Sequence, residues 1–534
     1  MSDSSVNKDE KIVYNENLTN VVSFTEETLG KRENVITTIV SHTGKEVKIT
    51  GDVDEAMKFA VAHAGQDVEL TAARDRKLLW KIDLYLMPVI CLLYCFQFMD
   101  KLSNSYASIL GLRTDLNMRG DMYSWTGSAF YLGYLVFEFP ASRLLQRFPV
   151  AKTASCFIVL WGAILMLHSV PQYAGFIALR TILGMLESSV TVSNLIITGC
   201  FYRKEEVFLR VALWFSSNGL GTIIGSGAIA YNLVRDQENF SIEPWKLIFV
   251  ITGSLTIGLG VLFFFHVPDT PAGAWWLTEE DKIMVVERIR ANQQGFGNKH
   301  FKIKQFKEAL LDHRTWLICS FALFSNIPNG GITNFGSILM TEDFGFTPKQ
   351  ALLMQMPEGA IEFFGCTFLA FSASHLVKSR MFWATFGTSI AVIGEFMLAF
   401  CSNSKARLAG LYLNFLGPIG FICLLSVISS NVAGHTKKVT VNAIYLIGYC
   451  VGNLIGPQTF LAQEAPGYRT AKICIASFGT VSLVILFAIW YSYWQENKIR
   501  DRNASKSEEE FEMIENHEFA DLTDKENPLF RYEY

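Results

Sequence analysis

From about residue 83 to residue 494 the chain is a succession of apolar runs of about 20 residues each, separated by short polar stretches. A helix of that length matches the hydrocarbon thickness of a bilayer. In lipid, every backbone N–H and C=O must be satisfied inside its own segment, so such runs fold as membrane-crossing helices. Twelve runs can be counted, at about 83–109, 123–143, 152–170, 174–200, 208–233, 246–267, 315–340, 350–373, 382–401, 408–431, 440–462 and 472–494. The longest interruption, 268–314, contains PDTP and then the charged stretch EEDKIMVVERIRANQQ. Six helices, a charged linker and six more helices suit a carrier whose two halves alternate access to a central site.

The fold expected is therefore an all-α membrane protein of twelve transmembrane helices in two six-helix halves. Its segments are an N-terminal tail (1–78), mostly disordered, a first bundle (79–267), a linker with short helices (268–314), a second bundle (315–495) and a C-terminal tail (496–534). Within the first tail, Asp52 to Ala64 (DVDEAMKFAVAHA) has the pattern of a short amphipathic helix. The last tail, with KIRDRNASKSEEEFEMIE, reads as a solvated segment or as a trafficking or turnover signal. The first 75 or so residues lack a basic stretch followed by an apolar core, so the first apolar run is expected to serve as an uncleaved targeting helix. With both termini inside, the inner loops hold about 18 Lys and Arg and the outer loops about 10, which favours that orientation.

Composition closes off other classes. Only 18% of residues are charged, against about a quarter in soluble domains, and a soluble enzyme is excluded. A net charge of −4 gives no footing for nucleic acid. The ten cysteines lie almost all in apolar runs and read as packing residues, not as a disulfide framework or a metal site. GLGTIIG at Gly219–Gly225 follows no strand and lies inside the fifth run, so Gly221 and Gly225 read as a close-packing face. With no phosphate loop, HExxH motif or nucleophile elbow, no cofactor, metal or catalytic residue is expected.

Charges inside the runs are the informative residues, because each costs a few kcal/mol unless paired or hydrated. Asp100 and Lys101 are adjacent in the first run, about 100° apart on a helix, so each must find its own partner. Glu138 lies in the second run. Arg180 and Glu187, seven apart in the fourth, share one helix face, where they either line a polar cavity or form an ion pair that locks helices. Glu358 and Glu362, four apart after Pro357, bring like charges together, and Glu395 stands alone; these three receive no assigned role. SNIPNGGITNFG in the seventh run (Pro328, Asn329, Gly330, Gly331) and GNLIGPQTF in the eleventh (Gly456, Pro457) have the composition of broken helices lining a cavity, or of packing kinks.

These residues resemble the major facilitator superfamily, and within it the anion:cation symporter family and its fungal allantoate permease branch. The likeness rests on FMDK in helix one, WTGSAFYLGYLVFEFP in helix two, LRTILGMLES in helix four, VPDTPAGAWWLTEEDK at the linker and IPNGGITNFGSIL in helix seven. ERIRANQQGFGN, NSKARLAG, GPQTF and the terminal NPLFRY point to the branch. Two departures stand out. The loop after helix two reads ASRLLQRFPVAK, without the Asp usual there, and helix one carries Asp-Lys where many relatives carry Asp-Arg. A lysine is a point charge and cannot give a planar two-pronged clamp.

The resemblance implies a proton-coupled symporter of the plasma membrane, or alternatively of the endoplasmic reticulum. It would be a monomer importing a small organic anion, allantoate or a related ureido acid or small peptide. Lys101, Arg180, Asn329 and Tyr134 would contact substrate, and Asp100 and Glu187 would carry the proton. Pro328, Gly330, Gly331 and Pro457 would serve gating. The alternatives are a vitamin, nicotinate or sulfonate permease on the same scaffold, or a non-transporting nutrient sensor. The tails, about 80 and 40 residues, are short for a folded signalling domain.

Overall fold

The computed structural model describes residues 71–290, 302–502, 523–527 and 530–534, and four short strands nearer the N-terminus. The strands β1 (Lys11–Ile12), β2 (Val22–Phe24), β3 (Ile36–Val40) and β4 (Glu46–Thr50) form an antiparallel meander in sequence order. Its best-formed pair sets Ile36 opposite Thr50 and Val40 opposite Glu46, in segments rich in the β-branched residues that strands favour. The amphipathic helix expected at Asp52–Ala64 lies outside the described residues.

Fourteen helices follow among the described residues. The first half comprises α1 (Ala72–Asp115), α2 (Met122–Arg147), α3 (Val150–Leu167), α4 (Tyr173–Phe201), α5 (Lys204–Arg235) and α6 (Pro244–His266). Two linker helices, α7 (Glu279–Arg290) and α8 (Ile303–Leu311), lead to the second half. That half comprises α9 (His313–Ile338), α10 (348–375, interrupted), α11 (Arg380–Phe400), α12 (Ser404–Asn431), α13 (His435–Ile455) and α14 (Arg469–Arg502). Nine helices of the described residues are long and apolar enough to cross a membrane. The other three long stretches, α2, α9 and α10, are more polar or broken, and they pack in the same bundle.

Each half has its own core. Ile82, Ile90, Trp161, Trp214 and Phe249 lie together in the first, and Ile318, Phe321, Ile422, Tyr445 and Ile489 in the second. The outer surface is apolar as well, with Phe139, Phe265, Phe368, Phe400 and Val484 all exposed. Helices apolar on both faces belong in a hydrocarbon surround. The halves meet closely where α5 crosses α10. A Cβ on Gly219 would lie 2.2 Å from the carbonyl oxygen of Gly359, so only glycine permits that approach. Gly221 packs in the same way against the Cys95 carbonyl of α1, which accounts for GLGTIIG as a packing face.

The linker pins both halves at one end of the molecule. On α7, buried Arg288 bonds Asp75 at 2.5 Å and Glu206 at 2.7 Å, and Asp281 pairs with Lys81 at 2.6 Å. Burial pushes the Asp281 carboxyl up, but the Lys81 ammonium and the Thr278 N–H and hydroxyl outweigh it and hold it below its ordinary range. On α8, Glu308 pairs with Lys437 at 2.8 Å. The start of α1 and the end of α14 lie at this same linker end.

The C-terminal segment is not wholly a free tail. Asp524 pairs with Lys437 at 2.7 Å, Tyr532 donates to Asp524 at 2.8 Å, and Asn431 donates to the Glu533 carbonyl at 2.7 Å. The aromatic ring in NPLFRYEY supplies the anchor, with the Arg314 guanidinium 4.7 Å from the Tyr532 ring.

Candidate functional site

A cavity of about 120 Å³ lies between the halves. Its first-half wall presents Gln97, Lys101, Tyr131 and Tyr134, and its second-half wall Asn326, Asn329, Thr388, Glu362 and Glu395. Toward the end away from the linker, polar bonds between the halves close it. Arg113 pairs with Glu342 at 2.8 Å and Tyr123 donates to the Asn334 carbonyl at 2.7 Å, while Tyr468, in the same half as Glu342, holds that carboxylate in place at 2.9 Å. Ser105 bonds Ser337 at 3.0 Å, and Ser128 donates to the Leu454 carbonyl at 2.8 Å. Toward the linker end, aromatic rings meet instead: Phe215 with Phe421 at 5.7 Å, Phe421 with Tyr449 at 5.4 Å, and Tyr134 with Tyr449 at 6.2 Å. A directional, hydrogen-bonded seal thus faces a non-directional aromatic collar.

The adjacent pair in α1 separates as the helix requires. Lys101 faces the cavity and pairs with Glu187 of α4 at 2.8 Å, while Gln97 donates to the same carboxylate at 2.9 Å. Asp100 faces the other way, into the first half, where Thr256 of α6 donates to it at 2.8 Å. Asp100 is fully buried and does not line the cavity.

Arg180 is corrected on two counts. It does not bond Glu187, and it is not on the cavity wall. Its Nε donates to the Thr126 carbonyl at 3.0 Å, and its guanidinium lies 5.2 Å from the Phe130 ring. Lys101 sits 5.6 Å from that ring, so Phe130 is shared by the two cations. Sharing a helix face with Glu187 did not bring Arg180 to it, because Lys101 reaches the carboxylate first from the facing helix. Lys101 is the one cation among the described cavity residues.

Helix seven of the sequence, α9, is not broken. It runs regularly through Pro328, Asn329, Gly330 and Gly331. The glycines there serve packing: a Cβ on Gly330 would lie 2.6 Å from the Asn453 carbonyl oxygen, and one on Gly331 2.8 Å from the Phe460 ring. The expected gating break at Pro328, Gly330 and Gly331 is therefore a tight crossing of α9 and α13. Asn329 lines the cavity and donates to the Asn453 side chain at 3.0 Å. The second expected break does occur. α13 ends at Ile455, and Pro457 sits in the tight turn Gly456–Thr459, whose Gln458 donates to Ser128 across the halves at 2.9 Å.

Other cavity features went unread in the sequence. α12 is interrupted at Phe415–Gly417, and Asn414, Gly417 and Pro418 line the cavity there. The Gly-Pro in NFLGP was the available signal. A wide turn at Ile361–Gly365 of α10 accompanies the placement of Glu362 on the cavity wall, while Glu358 is buried off it.

Two bundles that enclose a polar, charged cavity between a hydrogen-bonded seal and an aromatic collar, inside an apolar exterior, define a multi-pass membrane transporter. The Major Facilitator Superfamily model matches residues 90–457, and the chain belongs to that superfamily. It is 47% identical over 513 residues to the allantoate permease of Saccharomyces cerevisiae, covering 94% of each chain. It is 51% identical over 458 residues to an uncharacterized transporter of Schizosaccharomyces pombe, covering 86% of this chain and 89% of that one. The solved proton:xylose symporter XylE bound to 6-bromo-6-deoxy-D-glucose shares the fold, with a TM-score of 0.59 at 13% identity over 77% of this chain and 96% of that chain. The chain is a membrane transporter and not an enzyme.

Proposed function

We propose that the chain is a proton-driven symporter that imports a small organic anion, a ureido acid of the allantoate kind, across the plasma membrane. In this reading all twelve long helices cross the bilayer, the linker end and both termini are cytoplasmic, and the monomer is the working unit.

The observation that carries the reading is the pair that Lys101, on the cavity wall, makes with the buried Glu187 behind it, at 2.8 Å and shielded from water. A buried cation and its acid form a competitive switch. When a substrate carboxylate takes Lys101, Glu187 loses its counter-ion, and the uncompensated carboxylate binds a proton. The loaded cavity is then closer to neutral and easier to carry between its two open states. Asp100, on the opposite face of the same turn, is a second buried carboxyl, and its bond to Thr256 ties the protonation of α1 to its packing on α6. Arg180 acts indirectly, through the Phe130 ring that it shares with Lys101. Tyr134 and Asn329 contact substrate from opposite walls, and the turn at Pro457 takes part in the seal away from the linker.

The test is uptake of labelled allantoate in cells lacking their own permeases, competed with ureidosuccinate, dipeptides, sulfonates and nicotinate. Uptake that rises as external pH falls, with ureido acids as the strongest competitors, is the expected result. Saturable uptake with no pH dependence would remove the proton, and a different leading competitor would remove the ureido acid.

A further inference from the structure

The wall opposite Lys101 carries groups that the exchange at Lys101 and Glu187 leaves unused. Glu362 of α10 and Glu395 of α11 both line the cavity, are 3% and 4% exposed, and pair with no cation among the described residues. One oxygen of each, Glu362 Oε2 and Glu395 Oε2, has no hydrogen-bond partner there. Thr388, two turns before Glu395 on α11, lines the same wall at 6% exposure, and its hydroxyl is also unpartnered among the described residues. Buried polar atoms normally find partners, and residues on one cavity wall whose polar atoms do not are what a ligand's donors would complete.

The surrounding backbone makes room for these groups. A Cβ on Gly479 of α14 would lie 1.7 Å from Glu395 Oε2, and one on Gly420 of α12 would lie 2.5 Å from Thr388 Oγ1. Glycine at each position clears the space in which the acid and the hydroxyl sit.

We propose that Glu362, Glu395 and Thr388 form a second subsite, which binds the N–H donors of a ureido or amide group while Lys101 holds the carboxylate at the other end of the same molecule. This rests on the anion reading above and deepens it. The chemistry follows from the donor and acceptor inventory. A ureido group presents two parallel N–H bonds, and a carboxyl presents two acceptor oxygens at matching spacing, so one can bridge the other. An anion without N–H groups would bury these acceptors unpaired. That is the kind of mismatch by which sites built for hydrogen bonding reject their analogues. The subsite therefore sets specificity and the Lys101 end sets charge.

The pair ureidosuccinate and succinate isolates the added group. In the full chain, each is titrated against labelled allantoate uptake. The parent should be inhibited by ureidosuccinate at roughly ten- to hundredfold lower concentration than by succinate. In Glu395→Met, Glu362→Met and Thr388→Val, each close in volume to the parent residue, that ratio should fall toward one, with the succinate value little changed. Gly479→Ala, which keeps the acid but forces its carboxyl to move, should lower the ratio in the same direction. Succinate inhibiting the parent as well as ureidosuccinate overturns the subsite while leaving anion transport intact. So does an unchanged ratio in all four variants at parental membrane abundance. Parental uptake that Lys101→Ala does not impair overturns the anion reading and the subsite with it.

Discussion

Lys101 and Glu187 are each other's counter-ion, and both are out of water, so neither leaves the pair without a substitute. This makes Glu187→Gln informative. Glutamine keeps an acceptor for Lys101 and hydrogen-bonding capacity toward Gln97, but it cannot titrate. Accumulation of substrate against a gradient should vanish, while exchange of external for internal substrate in preloaded vesicles persists, because the entering anion itself neutralises Lys101. Accumulation with unaltered pH dependence in this variant would falsify the role given to Glu187. The sequence shows the charges but not their pairing. Burial cost marked Asp100, Lys101, Arg180 and Glu187, and helix geometry separated Asp100 from Lys101 correctly. The partner of Glu187 was out of reach of any one-helix argument, since it comes from a facing helix 86 positions away in the chain. Glu362 and Glu395 were visible as intramembrane acids, but with no second helix to set beside them the sequence assigned them nothing.

Single elements show why composition misleads about breaks. Pro328, Gly330 and Gly331 have the residue types of a broken helix, yet α9 stays regular, because small residues at a crossing serve close approach as well as flexibility. Gly330→Leu should therefore act through folding. Its Cβ would fall 2.6 Å from the Asn453 carbonyl oxygen and 2.7 Å from the Asn453 Cα, both backbone atoms that cannot turn aside. Overpacking of this kind costs about 1–3 kcal/mol or more, so membrane abundance and detergent melting temperature should drop, whereas a gating role would leave both unchanged. The docked C-terminus makes a separate prediction. Burial pushes the Asp312 carboxyl up, but the Lys437 and Lys525 ammoniums and the Arg314 N–H outweigh it and hold it below its ordinary range. A carboxyl depressed in the folded state contributes stability that is fully present above the ordinary carboxylate pKa and is lost as pH falls through the depressed value. Amide-exchange protection of residues 523–527 and 530–534, corrected for intrinsic rates, should hold from pH 7 to 5 and decline below that. Asp312→Asn should flatten the decline, and a decline of parental size in that variant would place the sensitivity elsewhere.

Across the whole molecule the two closures differ in kind, and that difference sets how the halves can move. The aromatic collar at the linker end is held by non-directional ring contacts, which can part by ring rotation. The opposite seal needs its bonds replaced by water before it opens: Arg113 to Glu342, Tyr123 to Asn334, Ser105 to Ser337. Arg113 and Glu342 are partly solvated, 39% and 29% exposed, so their pair contributes no more than about 1 kcal/mol after screening. Glu342 is held from within its own half by Tyr468, so of its two bonds only the one to Arg113 crosses the seal. Arg113→Ala, which removes the crossing bond outright, should therefore raise the population open away from the linker by about two- to fivefold, and Glu342→Gln by less, since glutamine keeps an acceptor for Arg113. A cysteine in place of Ser325, on the cavity wall inside the seal, reports the change through its rate of labelling by a membrane-impermeant maleimide. The parent chain, whose Cys401 lies toward the same end, supplies the background. Labelling faster in Arg113→Ala than in Glu342→Gln, and faster in both than in the Ser325→Cys chain alone, is the expected order. Equal rates in all three would mean that the ionic pair contributes nothing to the seal, and that Tyr123 and the serine contacts alone keep that end shut.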